Sequence, residues 1–328
     1  MLIDRYQRTI DYLRISVTDR CNFRCVYCMP ADGVAWKSHE EILTYEEITE
    51  FTRVAASLGI RRVRITGGEP LVRRNLASLV HSIAAIPEID DIALTTNATL
   101  LEAQAYGLAD AGLKRVNVSL DTLDAEKFAR ITRGGTLDQV WRGIQAAEGA
   151  GLAPIKVNAV VVRGVNDNEL LDLARLTLDH AWQVRFIEFM PVANGQDWGE
   201  GFPIAGERYL SIAEMRKVLE PLQLEPSNDA KGNGPARIYH VPGGKGSIGF
   251  ISPLGEHFCG WCNRLRLTAD GSLRPCLLNN LEIPVRDAIR QHQDLEAIIR
   301  QAIGLKPEGH TNHGETLASQ RKMAQIGG

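Results

Sequence analysis

Several things are scarce in this 328-residue sequence, and each scarcity narrows the reading. No apolar run approaches the ~18 residues that a membrane-spanning helix needs, so no transmembrane segment and no membrane partner are expected. The first residues, Met1 to Arg8, are charged and lack the apolar stretch of a secretory leader, so no signal peptide and a cytoplasmic location are expected. A basic surplus is missing as well. Lys and Arg total 37 against 40 acidic residues, a net charge of −3, so no nucleic-acid partner is expected. Lysine is rare: 9 of the 37 cations are lysine and 28 are arginine. Arginine grips phosphate bidentately, so the excess fits an anionic ligand. Genome composition explains it equally well, and the count alone favours that explanation. Cysteine is sparse, with six residues in two tight groups, Cys21/Cys25/Cys28 and Cys259/Cys262/Cys276. Without an export signal, disulfides are disfavoured, and metal binding or catalysis is favoured.

What is present is an ordinary globular composition, 44% hydrophobic and 23% charged, able to bury a sizeable core. Strand-like segments recur at Tyr12–Thr18, Arg62–Thr66, Asp91–Thr96, Arg115–Leu120, Ile155–Val162 and Gln183–Phe189. Between them lie helix-like stretches, best at Tyr45–Leu58, Asn75–Ala85, Leu101–Ala111, Leu137–Gly149 and Asn168–His180. Glycines at 59, 112 and 151 follow three of these apolar stripes and read as C-caps. Such alternation predicts an α/β fold with a parallel sheet. Six units fall short of a closed eight-stranded barrel, and a doubly wound sheet competes.

The strand faces favour a barrel. Leu13, Ile15 and Val17 share one face of the first strand, and Arg14, Ser16 and Thr18 share the other. Val63 and Ile65 oppose Arg62, Arg64 and Thr66; Val116, Val118 and Leu120 oppose Asn117, Ser119 and Asp121. Lys156 and Asn158 share a face of the fifth strand. Parallel strands covered on both sides read as continuous apolar runs. These carry one polar, repeatedly cationic face, as an incomplete barrel with a wet lumen would.

After Pro191 the rhythm breaks. Residues 194–206 read as loop, Ser211–Glu220 as helix and Ser227–Pro235 as loop. Strands are expected at Ala236–Val241 and Ser247–Ile251, then at Arg264–Thr268 and Ser272–Cys276 around Asp270-Gly271. That dipeptide signals a two-residue type I′ hairpin. The register it implies sets Cys276 opposite Leu265, near Cys262. Short helices follow at Val285–Gln291 and Leu295–Ile303.

The first triad is Cys-x3-Cys-x2-Cys, just beyond the first strand. Thiolates this close suit a soft metal or an iron–sulfur cluster. A cubane needs four ligands, so one iron would stay open to a chelating molecule. A closed zinc site fits the unequal spacing poorly. The second triad, Cys-x2-Cys-x13-Cys, leaves zinc more open, since Cys-x2-Cys is a zinc knuckle and His257 or a distant histidine is available.

The first triad resembles the signature of the radical S-adenosylmethionine (SAM) enzymes. Thr66-Gly67-Gly68-Glu69-Pro70, directly after the second strand, looks like that family's motif for the SAM amino group, and Tyr27 like its adenine-flanking aromatic. Residues 11–30, 64–70, 94–97, 117–121, 185–190 and 259–266 and the terminal Gly-Gly resemble, in order and over essentially the whole chain, the MoaA family of GTP 3′,8-cyclases of molybdenum-cofactor biosynthesis. The resemblance implies an incomplete (β/α)6 TIM-like barrel in residues 1–200. It implies an α+β extension in residues 201–328 that carries a second cluster and the Gly-Gly tail. Two 4Fe–4S clusters are then expected, on Cys21, Cys25 and Cys28 and on Cys259, Cys262 and Cys276. SAM would chelate the open iron of the first, and the guanine of GTP would bind that of the second. Tyr27, Gly68, Ser119 and Met190 match SAM-contacting positions; Arg14, Arg64, Thr95, Lys156, Arg264 and Arg266 match GTP-contacting ones. Arg62 and Arg185 join them on the strand-face argument. The catalytic set is Cys21, Cys25, Cys28, Arg264 and Arg266. Gly327-Gly328 is expected to reach into the site.

The implied reaction cleaves SAM to methionine and a 5′-deoxyadenosyl radical. That radical takes the 3′ hydrogen of GTP, and C3′ then bonds to C8. One electron and one proton complete 3′,8-cyclo-7,8-dihydro-GTP. An external electron donor, a downstream cyclic pyranopterin monophosphate synthase and a homodimer are the implied partners. The competing readings are another two-cluster radical SAM enzyme, such as a peptide-modifying maturase, and a zinc-stabilised binding module.

Overall fold

The computed structural model describes residues 1–191, 198–227, 234–310 and 321–327. Its first six strands fall where the alternation of residue types placed them: β1 Tyr12–Ser16, β2 Arg62–Thr66, β3 Asp91–Thr96, β4 Arg115–Ser119, β5 Lys156–Val161 and β6 Gln183–Glu188. Helices α1 Tyr45–Leu58, α2 Leu76–Ala84, α3 Ala105–Asp110, α4 Ala125–Thr132, α5 Leu137–Gly149 and α6 Leu170–Asp179 alternate with them. Local chemistry sets the helix ends. Thr44 caps α1 by accepting from the Glu47 amide while Glu47 reaches back, and Thr136 and Gln139 do the same for α5. Glycines 59, 112 and 151 have positive φ, as C-cap positions require. The sequence reading passed over α4, although Asp124 supplies an N-cap that accepts from the Lys127 amide. The expected helix at Leu101–Ala111 is helical only from Ala105; tight turns precede it.

The remaining elements are α7 Ile212–Val218, β7 Glu225–Pro226, β8 Arg237–His240, β9 Ser247–Ile251, β10 Arg264–Leu267, β11 Ser272–Arg274, β12 Ile283–Pro284, α8 Arg286–Arg290, α9 Leu295–Gly304 and α10 Met323–Ile326. The twelve strands among the described residues form one mixed sheet, in the order β12-β11-β10-β1-β2-β3-β4-β5-β6-β9-β8-β7. The eight from β10 to β9 are mutually parallel, and each end finishes in antiparallel strands. The later part of the chain therefore extends both edges of the sheet begun by the first six strands. β9 lies against β6, and β10 lies against β1.

The apolar strand faces pack against the helices. Leu13, Ile15, Val63, Ile65, Val116, Val118 and Val157 are fully buried in the main core with Phe51, Leu79 and Ile144 from the helices. At about 25 cal/mol per Å² of apolar surface, this burial is the main favourable term of folding. The opposite face is polar yet also largely buried, with Arg64, Lys156, Arg185 and Arg266 all under 8% exposed. It surrounds a cavity rather than solvent.

One expectation about register fails. The β10–β11 hairpin pairs Arg266 with Arg274 and Leu267 with Leu273. Its loop is three residues, closed by the Thr268 amide donating to the Ser272 carbonyl and the Gly271 amide to the Thr268 carbonyl. Only Gly271, at φ 76°, is left-handed; a type I′ turn needs Asp270 there too. The ladder therefore sits one residue away from the expected register, and Cys276 lies beyond the end of β11 rather than opposite Leu265. Among the described residues no helix is long and apolar enough to cross a membrane.

Candidate functional site

A cavity of about 280 Å³ opens on the polar face of the sheet. Residues from β1 to β6, β9 and β10 all line it, so the sheet curves around it. Its two ends differ in chemistry.

At one end stands the first triad. Cys21, Cys25 and Cys28 all line the cavity, and none is in a disulfide. The loop carrying them is laced to the turn after β2. The Gly68 amide donates to the Thr18 carbonyl and the Glu69 amide to the Arg20 carbonyl, each at 2.8 Å. A side chain at position 68 would place its Cβ 2.3 Å from the Arg20 carbonyl oxygen, so this approach is open only to glycine. The Glu69 carboxylate accepts from the Leu71 and Asn97 amides and the Thr96 hydroxyl. Burial still raises its pKa to about 7. Tyr27 donates to Asp121 at 2.6 Å, and the Val160 amide fixes the other Asp121 oxygen. Burial lifts Asp121 to about 6. Burial also pushes the thiols up, Cys21 to about 11 and Cys28 to about 12. Tyr27, Gly68, Ser119 and Met190 all line this cavity.

The other end is cationic. Parallel pairing sets Arg266, Arg14 and Arg64 side by side across β10, β1 and β2; Arg264, Tyr12 and Arg62 form the next row. Arg14, Arg64, Arg185, Arg264, Arg266 and Thr95 line the cavity. Burial and mutual repulsion pull Arg185 down to about 9 and Arg266 to about 10. Lys156 lies buried behind the lining, and burial next to Arg185, Arg115 and Arg64 lowers it to about 6. Burial alone would raise the Tyr12 phenol, but Arg64, Arg14, Arg264 and Arg115 outweigh it and pull it down. Arg62 is a correction. It shares the strand face of Arg64, but Asp11, just before β1, holds it in an ion pair, and it does not line the cavity.

Several polar atoms of the lining are buried without a protein partner: Tyr12 Oη, Arg64 Nε, Thr95 Oγ1, Asn117 Oδ1 and Asn158 Oδ1. Buried groups of this kind normally have a partner, so together they describe the outline of a polar ligand. No carboxylate forms an ion pair with Arg64, Arg185, Arg264 or Arg266 among the described residues. Like charges packed this closely in low dielectric call for an anion.

The C-terminal segment enters the same space. The Gly327 carbonyl accepts from Arg14 Nη2 at 3.1 Å and Arg266 Nη1 at 2.9 Å. A Cβ there would meet Thr66 Cγ2 at 2.8 Å, and φ is 70°, so glycine is required on two counts. Gly328 lies outside the described residues.

The second triad sits just behind the cationic end. Cys259–Trp261 forms a short turn, closed by the Cys262 amide donating to the Cys259 carbonyl. The triad itself is not in the lining, but Phe258 and Leu277, adjacent to it in sequence, are. Cys262 is the one thiol drawn downward. Burial opposes that shift, and Lys306, Arg264 and Arg266 outweigh it. Burial and the neighbouring Cys28 and Cys21 raise Cys25, and burial with Cys276 and Cys262 raises Cys259. Among the described residues no three His, Cys, Asp or Glu side chains are gathered closely enough to hold a metal ion. Sequence reasoning missed Tyr12 and Asp121 as site residues. Tyr12 could have been found, since it is two residues before Arg14 and so shares its face.

Comparison with known proteins bears on this arrangement. Residues 15–177 match the Radical SAM superfamily and residues 182–312 match Molybdenum Cofactor Synthesis C. A GTP 3′,8-cyclase of Moorella thermoacetica is 49% identical over 330 residues, covering 99% of both chains. That of Petrotoga mobilis is 45% identical over the full length of both. Among solved structures, Streptococcus suis SuiB bound to precursor peptide SuiA gives a TM-score of 0.62 at 14% identity, covering 97% of this chain and 76% of that one. Native anSMEcpe with bound AdoMet gives 0.58 at 15% identity, covering 87% of this chain and 81% of that one. At such identities these structures speak for the fold alone.

Proposed function

Since the chain belongs to the GTP 3′,8-cyclase family of radical SAM enzymes, we infer that it converts GTP to (8S)-3′,8-cyclo-7,8-dihydroguanosine 5′-triphosphate, an early step of molybdenum-cofactor biosynthesis. One observation carries the assignment: a single cavity has three cysteines at one end and five arginines at the other. Such a cavity would hold the radical chemistry and the phosphates side by side.

The finer reading follows from that arrangement. The curved sheet is an incomplete barrel, with residues 1–200 as its radical SAM part and residues 201–328 as the part that adds a second cluster. Each triad offers three thiolates, which suits a four-iron cluster with one open iron. The clusters and SAM supply the electron transfer and the radical when bound. The chain supplies positions. Gly67 and Gly68 bring backbone close to the first triad. Tyr27, held by Asp121, and Ser119 and Met190 flank SAM. Arg14, Arg64, Arg185, Arg264 and Arg266 neutralise the triphosphate, with Lys156 behind them. The Gly327 carbonyl orients two of these guanidiniums, which keeps them from collapsing onto other acceptors. An external reductant and a homodimer belong to the same reading.

The test is release of 5′-deoxyadenosine, measured anaerobically with SAM and a strong reductant, with and without GTP. Strong stimulation by GTP is expected. Release indifferent to GTP would keep the superfamily and point to a peptide-modifying enzyme. No release from protein shown to hold iron and sulfide would overturn the activity.

A further inference from the structure

Two buried cations outside the cavity grip the backbone beside all three cysteines of the second triad. Arg8 is 6% exposed and Lys306 is 2%. Arg8 Nη1 donates to the carbonyl of Cys259 itself and to that of Glu308, both at 2.7 Å, and Nη2 donates to the Pro307 carbonyl at 2.6 Å. Lys306 Nζ donates to the Pro275 carbonyl at 2.6 Å and the Arg264 carbonyl at 2.8 Å. Pro275 immediately precedes Cys276, and Arg264 follows Cys262 by two residues.

The chain is built locally to present Arg8. The Ile10 amide donates to the Leu2 carbonyl, and Ile3 bridges Thr9, so the first ten residues fold back on themselves. Asp4, 3% exposed, closes that turn. One of its oxygens accepts from the Tyr6 and Arg8 amides, and the other accepts from Arg8 Nε at 2.6 Å. The guanidinium is thereby locked with its two remaining nitrogens facing the Cys259 turn and the 307–308 backbone. A guanidinium can do this because its donors lie in a rigid plane. The segment after α9 does the rest: it carries Lys306, supplies two of the acceptors for Arg8, and packs against Cys259 through Gly309.

We propose that Arg8 and Lys306 are positioning residues of the second triad, joining the two ends of the chain so that Cys259, Cys262 and Cys276 are held as one ligand set. Cys276 lies apart from the Cys259–Cys262 turn, so no single short motif fixes the spacing of all three. Carbonyl-to-cation bonds at each stretch fix it instead. Neither cation lines the cavity, and neither bonds to the first triad's loop among the described residues. Their loss should therefore fall on one cluster and not on the other. This rests on the reading of both triads as cluster sites.

The experiment compares the wild-type chain with Arg8→Ala and Lys306→Met after anaerobic reconstitution. Iron and sulfide are counted, and the reduced protein is examined by electron paramagnetic resonance with SAM alone and with GTP alone. The wild type is expected to hold about eight irons, from two four-iron clusters. Each variant is expected to hold about four, to keep the spectral response to SAM and to lose the response to GTP. A variant that keeps about eight irons and the GTP response overturns the proposal. So does one that loses both responses along with a lower melting temperature of the iron-free chain, since that is a general fold defect. A wild type with only about four irons defeats the two-cluster reading itself, a failure visible before any variant is made.

Discussion

The two triads offer the same donor set, three cysteines, in opposite surroundings, the first lining the cavity and the second lying behind its cationic end. The first triad is encoded within eight residues, Cys21 to Cys28, and beside it stand Glu69, Asp121 and Tyr27 with the cation Arg24, whose guanidinium donates to the Cys21 carbonyl. Burial there pushes thiols up. The second triad spans eighteen positions, from 259 to 276, and its neighbours are cations. Lys306, Arg264 and Arg266 pull Cys262 down against the effect of burial. The first end is held by short bonds among consecutive strand-end loops. The second is held by Arg8, 251 positions from Cys259, and by Lys306, 31 and 42 positions beyond the carbonyls it grips. The lesson is a division of labour. A buried, tightly knit end suits chemistry that must be kept from water. A cationic end suits recognition of a polyanion.

Substitution of the cysteines is the largest way to break that comparison. Replacing Cys21, Cys25 or Cys28 with Ser should reduce SAM cleavage to background, well beyond the roughly 10–100-fold that loss of an outer partner costs a metal site. Replacing Cys262 with Ser should leave SAM cleavage measurable and remove only the turnover of GTP. Deoxyadenosine release and cyclised product, assayed side by side, separate the two. Equal losses from both triads would erase the division.

The double variant Arg264→Ala, Arg266→Ala acts on the second end alone. Charge-assisted bonds are worth about 1.5–3 kcal/mol each, so two lost together predict GTP binding weaker by about a hundredfold or more. GTP-independent SAM cleavage should persist. A double variant with normal GTP turnover would remove both arginines from the site.

How much of this was legible beforehand follows the same line. The first triad, the glycine turn after β2 and the alternating faces of β1 to β6 could be read directly, because each is local in sequence. The row Arg266–Arg14–Arg64 could not be derived from pattern. It exists only because β10 pairs in parallel with β1, and strand order between distant segments leaves no periodic trace. Arg62 misled because alternation gives the face of a side chain and not its partner; Asp11 claimed it. The β10–β11 register failed because Asp-Gly serves both two- and three-residue loops, and here only the glycine turned left-handed. Arg8 and Lys306 are single residues in no motif, so only the fold could place them together.

A smaller effect concerns Lys156 and pH. Its folded pKa of about 6 lies below the ordinary lysine value of 10.5, so the unfolded chain binds more protons between those two pH values. The burial penalty is therefore complete below pH about 6 and fades as pH rises toward 10.5. A bound polyanion should raise that pKa again. GTP binding near pH 7 should then take up part of a proton and tighten as pH falls. Calorimetry in buffers of different ionisation enthalpy checks this, with Lys156→Met as the control that abolishes the lysine's share. Equal proton uptake by variant and wild type would place the anion away from Lys156.

The most delicate test is Tyr12→Phe, because it removes a single oxygen. That hydroxyl is buried with no protein partner, beneath Arg64 and beside the other cations of the lining. An unpartnered buried hydroxyl is a cost to the ligand-free fold, so the phenylalanine variant should melt no lower than wild type, and somewhat higher if the desolvation penalty dominates. If the hydroxyl serves the nucleotide, the same change should weaken GTP binding by the net value of one hydrogen bond, about 1 kcal/mol or roughly fivefold. SAM binding at the first triad's end should not move. The opposite signs are what give the test its force. A residue that mattered only for packing would lose stability and affinity together, whereas a hydroxyl kept for an anion at the cationic end must give up affinity while stability holds.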